Sequence, residues 1–137
     1  MTDRQVMLDT NTVSYLLREN DSKIKERLVK TGMANVCVSV VTEAELRFGC
    51  LQRPAATNLT ALVTEFISAV DSLPWNSESA KSYAELRMHC KKKGLALGCM
   101  DMLIAAHSMA VDARLISSDK AFSHLSDLLT LDSWYDG

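Results

Sequence analysis

The sequence V-M-L-D-T-N at residues 6–11 runs three apolar residues directly into an acid and two small polar residues. A short apolar run bounded by polar residues is typical of a buried strand, which we predict over residues 4–8. The side chains of Asp9, Thr10 and Asn11 can cap a helix that begins just after them. The stretch therefore predicts a strand that ends at a carboxylate and is followed at once by a helix.

The rest of the sequence repeats this alternation of strands and helices. The predicted strands cover residues 4–8, 35–40, a position around Leu73, 114–117 and 128–131. The predicted helices cover residues 12–18, 22–31, 42–50, 59–70, 77–93 and 101–111. Strands that alternate with helices form parallel sheets covered on both faces. We therefore predict an α/β fold, a three-layer sandwich with a central, mainly parallel sheet.

Polar residues predict where three of these helices begin. Ser22 and Ser77 precede apolar-periodic segments in the manner of helix N-caps. Thr42 and Glu45 have the spacing of a capping box, in which two side chains bond each other's backbone N–H groups. The helix at residues 77–93 is expected to turn four side chains inward or along its rim, those of Ala80, Tyr83, Ala84 and Arg87.

The composition is that of an ordinary globular protein. The chain has 137 residues, 47% of them hydrophobic, and a formal net charge of −2 at pH 7, so we predict one domain over residues 1–137. The overall field does not attract nucleic acid, and any polyanion must be bound locally or with the help of a metal. The first eight residues hold a three-residue apolar run, too short for a signal peptide, and we expect a cytoplasmic location.

Several residues of types that often carry chemistry have a structural interpretation here. We expect reduced, mostly buried thiols, because no C-x-x-C pair or zinc-finger spacing occurs among Cys37, Cys50, Cys90 and Cys99. His107 lies inside an apolar helix and is expected to be a hydrogen-bonded core residue rather than a general base. The lysines at residues 91–93, followed by Gly94, either contact RNA phosphates or complete a helix end, and the second interpretation is favoured.

Four acids follow the predicted strands or open a helix beside them. Asp9 follows the first strand, Glu45 the second and Asp119 the fourth, whereas Asp101 opens a helix. Ligands of open α/β sheets bind beyond the carboxyl ends of the strands, so we expect these acids to converge there. Two carboxylates about 4 Å apart repel each other by about 4 kcal/mol at an effective dielectric near 20, and a divalent cation removes this cost.

Oxygen-only ligation is typical of Mg²⁺ or Mn²⁺ sites. Such a cation lowers the pKa of a water and stabilises charge on a phosphodiester, so the predicted reaction is metal-assisted phosphodiester hydrolysis. Each acid also has a structural interpretation. Asp9 and Asp101 could be helix N-caps, Glu45 the second member of the capping box, and Asp119 a turn residue.

Four segments of the sequence carry a resemblance to a known family. They are L-D-T-N at residues 8–11, S-V-V-T-E-A-E-L-R-F-G at residues 39–49, G-C-M-D-M-L-I-A-A-H at residues 98–107, and L-I-S-S-D at residues 115–119. In this order they resemble the PIN-domain ribonucleases, and within them the VapC-type toxins of bacterial toxin–antitoxin pairs. The family often has Pro and Phe at Cys99 and Met100, and Thr with Asn or Arg at Ser117 and Ser118. These departures leave the carboxylates in place and concern substrate fit.

The resemblance implies a PIN-like domain that is a Mg²⁺-dependent endoribonuclease toxin. It implies an acidic metal site that excludes Glu43 and consists of Asp9, Glu45, Asp101 and Asp119. It also implies polar support from Thr10, Asn11 and Ser117. Members with the same L-D-T-N and A-A-H patterns are similar in cutting initiator tRNA in its anticodon loop. The implied partners are a second copy of the chain and a VapB-type antitoxin, whose C-terminal segment lies along the active-site groove and whose other end binds operator DNA.

Three other functions remain open at the level of the sequence. A phosphoacceptor receiver module requires two adjacent acids after its first strand, but Thr10 follows Asp9. An Asp-nucleophile phosphatase requires a second aspartate two residues after the first, where Asn11 stands. A PIN-like domain that binds RNA without cutting it does not require the full set of acids.

Overall fold

The computed structural model describes residues 5–19 and 22–134. Its strands are β1 (Val6–Leu8), β2 (Val36–Ser39), β3 (Asp71–Leu73), β4 (Arg114–Ile116) and β5 (Leu131–Asp132). Its helices are α1 (Thr10–Glu19), α2 (Ser22–Thr31), α3 (Val40–Gln52), α4 (Thr57–Ala69), α5 (Ser77–Lys93) and α6 (Cys99–Ala110). The strands form one sheet in the order β3-β2-β1-β4-β5, and all neighbouring strands are parallel. The predicted α/β sandwich with a parallel sheet is confirmed.

The two faces of the sheet carry separate apolar cores because successive side chains of a strand point to opposite faces. Val6 and Leu8 of the central strand pack with residues of α1, α2 and α4. Met7 packs on the other face with residues of α5 and α6, and Cys37 of β2 joins it there. A slip of β1 by one residue would exchange these two sets of contacts, so burial on both faces fixes its register.

The strand order places the ligand-binding edge. From β1 the chain adds β2 and β3 on one side, and β4 and β5 on the other. The direction of winding thus reverses between β1 and β4, and ligands of such sheets bind beyond the carboxyl ends of the strands at the reversal. Receiver modules have the order 2-1-3-4-5 instead. The receiver alternative is therefore wrong for this chain.

Two helix starts differ from the predicted ones because other side chains provide the caps. The Oγ atom of Ser39 accepts a hydrogen bond from the Val41 N–H at 3.1 Å, so α3 begins before Thr42 and the predicted capping box is wrong. The side chain of Asn76 accepts from the Ser79 N–H at 3.3 Å and caps α5 in place of Ser77.

The helices that begin beside Asp9 and Asp101 start two residues before their predicted positions. Thr10 and Asn11 lie inside α1 and do not cap it, and the cap is Asp9 alone. The helix that carries Asp101 begins at Cys99 after Gly98, so Asp101 is its third residue and not its N-cap. The predicted cap by the Ser22 side chain, and residue 4 of the predicted first strand, lie outside the described residues.

The buried residues of α4 and α5 show which side of each helix faces the core. Val63 and Phe66 of α4 are buried, so the apolar side of this helix belongs to the core. The buried residues of α5 are Ser79, Leu86 and Cys90. The predicted inward face of this helix is therefore wrong by about one position, since Ala80, Ala84 and Arg87 are exposed and only Tyr83 is half-buried.

The end of α5 has the predicted stop chemistry. Gly94 adopts a left-handed conformation, with φ 66°, and its N–H bonds the carbonyl groups of Cys90 and Lys91. Lys93 Nζ lies 3.4 Å from the Asp127 carboxylate. Asp127 and Ala113 line the same cavity, and Ala113 directly precedes the first residue of β4. Lys93, which contacts Asp127, therefore lies near the amino ends of the strands.

The final strand starts later than predicted, since β5 pairs with β4 only at residues 131 and 132. Residues 126–128 form a turn and residue 129 a bend instead. Within the described ranges, no helix is both long and apolar enough to cross a membrane.

The exposure of the cysteines predicts their reactivity. The structure contains four free thiols, of which Cys37 and Cys90 are buried, Cys50 is half-buried and Cys99 is exposed, so the expectation of mostly buried thiols holds only in part. Burial, followed by the charge of Asp71, raises the pKa of Cys37 to about 12. At neutral pH this pKa lowers the thiolate fraction roughly 10³-fold relative to a free cysteine.

We expect one thiol of the native protein to react rapidly with Ellman's reagent, because Cys99 combines exposure with a position at the start of α6. The Cys99→Ser variant should lose this fast phase, and Cys37 should react only after unfolding. A fast phase that persists in Cys99→Ser would contradict the arrangement.

Candidate active site

Asp9 stands at the end of the central strand and is almost completely buried, with 2% of its surface exposed. Its backbone N–H donates to the Ile116 carbonyl at 3.2 Å, which continues the pairing of β1 with β4. Its Oδ1 atom accepts from the Thr12 N–H at 2.9 Å and caps α1. The position of this carboxylate is thus fixed by a buried strand on one side and a helix on the other.

Glu45 reaches the same edge from the second turn of α3. The Thr10 hydroxyl lies 2.5 Å from Glu45 Oε1 and 3.3 Å from the hydroxyl of Thr42. A hydroxyl donates only one hydrogen, so Thr42 donates to Thr10 while Thr10 donates to Glu45. Thr10 supports Glu45 as a polar neighbour, and Thr42 is a buried member of this chain of hydrogen bonds that the sequence analysis had assigned to a cap.

Glu43 belongs to a different environment although it lies on the same helix. Its Oε2 atom is 2.7 Å from Arg47 Nε, and its Oε1 atom accepts from the Ser72 hydroxyl at 2.6 Å. The hydrogen bond from Ser72, and then that from Arg47, lower the pKa of Glu43. This acid ties α3 to β3 and already has a cationic partner.

Asp119 follows β4 and organises the turn after it. Its backbone N–H donates to Ser117 Oγ at 3.0 Å, and its own Oδ1 accepts from the Ala121 N–H at 2.9 Å. Ser117 is nearly buried and supports the turn. The structural interpretation of Asp119 as a turn residue is confirmed, but the turn lies beside the other acids. Asn11, the third predicted polar neighbour, is exposed in the first turn of α1.

Asp101 shows that the acids share one electrostatic field. Its pKa is raised above the ordinary value of an aspartate, first by burial and then by three negative charges, those of Asp119, Asp9 and Glu45. Residues that are distant in sequence are thus close enough in space to disfavour the ionisation of Asp101. The convergence expected at the carboxyl edge of the sheet is therefore present in the structure.

The donor set is of the kind that hard divalent cations prefer, since it consists of carboxylate oxygens. Within residues 5–19 and 22–134, no three acidic, histidine or cysteine side chains already surround a common point at ligating distance. The unrelieved repulsion at Asp101 is what a cation would neutralise, and on this ground the residues fit a Mg²⁺ or Mn²⁺ ion.

His107 is a core residue, as predicted. It is fully buried, and its Nδ1 atom lies 2.7 Å from the Ser39 hydroxyl. Burial lowers its pKa, while the backbone of Pro74 opposes this shift. A neutral, inaccessible imidazole cannot exchange protons with a substrate at the surface. Ser39 is not among the predicted site residues, although its position between an apolar strand and a helix is a signal for such a role.

The sequence family and the known relatives agree with this arrangement. The family model described as "PIN domain" matches residues 6–128. The chain is 28% identical to "Ribonuclease VapC2" of Rickettsia felis over 130 residues, covering 93% of this chain and 96% of the relative. It is 30% identical to the "tRNA(fMet)-specific endonuclease VapC" of Salmonella typhimurium over 102 residues, covering 74% of this chain and 76% of the relative.

A solved structure shows the same fold. The crystal structure of VapBC2 from Rickettsia felis, bound to a DNA fragment from their promoter, contains a chain that superposes with a TM-score of 0.87 at 26% identity. The alignment covers 94% of this chain and 98% of that one. The strand order, the acids at the carboxyl edge and the family match agree, and the chain belongs to the PIN-domain family, in its VapC branch.

Proposed function

We propose that the chain is a Mg²⁺-dependent endoribonuclease toxin of the VapC type, with Asp9, Glu45, Asp101 and Asp119 as its catalytic metal site. The observation that carries the proposal is the convergence of the four carboxylates at the carboxyl edge of the sheet, where the charges of Asp119, Asp9 and Glu45 act on Asp101. Among the residues that the structure describes, none of these four acids has a cationic partner such as Glu43 has in Arg47. Mn²⁺ is the alternative cation, since it prefers the same oxygen ligands.

In such a site the carboxylates would supply the negative charge, and neighbouring neutral groups hold them in position. Asp9 is held rigidly by the Ile116 carbonyl and the Thr12 N–H, and Glu45 is aligned by the Thr10 hydroxyl. Asp119 is oriented by the Ala121 N–H. When bound, the cation would acidify a water and neutralise charge on the phosphodiester. Neutral donors orient the carboxylates and leave their negative charge available to the cation.

RNA, and specifically tRNA, is the proposed substrate. Two observations support it: relatives are named ribonucleases, and one at 30% identity is named as specific for tRNA(fMet). Cleavage in the anticodon loop of initiator tRNA is the specific form of this proposal. A substrate of this kind places the protein in the cytoplasm.

The proposed protein partner is a VapB-type antitoxin, because the superposed relative belongs to a VapBC complex on promoter DNA. An apolar groove of about 560 Å³ lies between α1, α2 and α4, and its walls include Leu16, Leu28 and Phe66. Leu17 lines both this groove and a small cavity that contains Glu45. An amphipathic antitoxin segment in the groove would therefore end beside the acids, and operator DNA would be bound only through the antitoxin.

A homodimer is the proposed assembly. Four apolar residues recur at helical spacing on one exposed face of α3, namely Val40, Ala44, Phe48 and Leu51. Phe48 is 61% exposed and Leu51 is 78% exposed, which is unusual for large apolar side chains on a helix that also carries site residues. A second copy of the chain would cover this stripe.

Cleavage of tRNA should depend on Glu45 and not on Glu43. With total tRNA and Mg²⁺, the wild type should give discrete fragments on a denaturing gel, whereas Asp9→Asn and Glu45→Gln should lower the rate at least about 10²-fold. EDTA should abolish the fragments. Glu43→Gln is the matched control on the same helix and should retain most of the activity. Intact RNA with the wild type, or equal losses in the two glutamate variants, would contradict the proposed site.

The free protein should become more stable when Asp101 loses its charge. The pKa of Asp101 is higher in the folded state than in the unfolded state, so its ionisation lowers the free energy of unfolding as the pH rises above its ordinary pKa. In EDTA at roughly neutral pH, Asp101→Asn should raise the midpoint of thermal unfolding by a few degrees. The difference should shrink as the pH falls through the folded-state pKa and vanish well below about pH 4, where aspartate is protonated in both states.

Addition of Mg²⁺ should reverse this order. A ligand at 100 times its dissociation constant stabilises the folded state by about 2.7 kcal/mol. We expect a clear rise of the wild-type midpoint in differential scanning fluorimetry and little or no rise for Asp101→Asn. Glu43→Gln should respond to Mg²⁺ as the wild type does. The metal site would be refuted if Asp101→Asn gained as much stability from Mg²⁺ as the wild type.

The exposed stripe of α3 should control the oligomeric state. Phe48→Glu should shift the mass measured by light scattering from that of two chains to that of one, because the charge cannot be desolvated in an apolar interface. Val29→Glu, at a residue that is 79% exposed on α2, is the control and should remain a dimer. A monomeric wild type, or a dimeric Phe48→Glu, would exclude this interface.

A further inference from the structure

A second cavity opens beside the last acid of the proposed metal site. It has a volume of about 400 Å³, within the range of about 300–1,000 Å³ that is usual for small-molecule sites. It lies where β4 and β5 end, and its polar lining consists of Ser117, Ser118, Asp119, Lys120, Ser123 and Ser133. The cavity therefore continues the cleft of the acids along the carboxyl edge of the sheet.

The lining of this cavity is less negative than the acidic cluster, because it combines one acid with one lysine and several neutral hydroxyl groups. Lys120 contributes a positive charge, and the serines contribute hydroxyl groups that can both donate and accept. Throughout the described part of the chain, neither the Lys120 ammonium nor the Ser118 hydroxyl has a hydrogen-bond or ion-pair partner. Asp119, the acid that the described residues contribute to the lining, already uses Oδ1 to accept from the Ala121 N–H.

Several other basic residues among those described have an acidic partner. Arg47 contacts Glu43, Lys93 contacts Asp127, and Arg114 contacts Asp132. Lys120 directly follows a site acid and keeps its charge without such a partner. A polyanion that enters an acidic cleft is repelled there, and a cation next to the cleft reduces this repulsion at short range.

We propose that this cavity binds the nucleotide next to the scissile bond, with Lys120 on its phosphate and the hydroxyl of Ser118 on its sugar. The inference rests on the proposed nuclease function and extends it to a specific substrate contact. A nucleotide offers a phosphate to the ammonium group and ribose hydroxyls to the serines. An RNA strand whose scissile phosphate lies among the acids can reach the cavity directly, because Ser117 and Asp119 border both.

The test measures RNA binding separately from cleavage. The probe is a fluorescein-labelled RNA hairpin with the anticodon loop of initiator tRNA, and the background is Asp101→Asn with Mg²⁺ present, so that the RNA stays intact. Lys120→Ala should weaken binding roughly fivefold or more and reduce the slope of log Kd against log salt by about 0.7, as for one lost contact to single-stranded phosphate. Lys120→Arg should retain most of the affinity and the slope.

Lys93→Ala is the matched control, since it removes the same charge near the amino ends of the strands. It should leave both affinity and salt slope close to those of the background protein. In the otherwise wild-type enzyme, Lys120→Ala should raise KM and change kcat little. This split, together with the salt slope, separates a substrate contact from a loss of structure.

Each outcome decides the inference. If the wild type cuts RNA but Lys120→Ala binds it like Lys93→Ala, the subsite is wrong and the nuclease stands. If RNA is never cut but Lys120→Ala selectively weakens its binding, the cavity contacts RNA but not beside a scissile bond, so the proposed function and the inference as stated are both wrong. If the background protein does not bind RNA, or if Lys120→Ala weakens only antitoxin binding, the cavity is not an RNA subsite.

Discussion

Repulsion between carboxylates at the carboxyl edge of a parallel sheet is the constraint on which the site depends. Burial and three neighbouring acids raise the pKa of Asp101. The structure orients Asp9 with the Thr12 N–H, and Glu45 with the Thr10 hydroxyl. These donors are neutral, so they fix geometry without cancelling charge. Glu43 on α3 is neutralised by Arg47 instead, and this difference in partner separates a structural acid from a site acid on one helix.

The rigidity of the sheet makes such an arrangement sustainable. Each face of β1 packs into its own core, so the strand that presents Asp9 cannot slip without disrupting both. The two helices that present Glu45 and Asp101 are joined behind the site. Ser39 caps α3 and its hydroxyl also contacts His107 of α6, in a fully buried position. Mutual repulsion among the acids is thus opposed by hydrophobic packing and by buried hydrogen bonds on the inner side of the cleft.

The sequence predicted the layers and the four converging acids because these depend on short-range patterns. An apolar run, an alternation of elements and an acid after a strand are all readable without knowledge of contacts in space. The helix starts were less accurate. Thr42 and Glu45 have capping-box spacing, but Ser39 caps α3 three residues earlier, and this frees both side chains to bond Thr10. Competition between caps is decided by tertiary contacts that no local pattern contains.

The structural and functional interpretations of the acids turn out to be compatible. Asp9 caps α1 through Oδ1, and Asp119 bonds the Ala121 N–H through Oδ1. A carboxylate has two oxygens and several lone pairs, so a cap that uses one oxygen leaves further lone pairs for a ligand. The cap also restricts the rotation of the side chain, which lowers the entropy lost when a ligand binds. A capping role at the end of a strand is therefore a reason to expect a preorganised site there, and not an alternative to one.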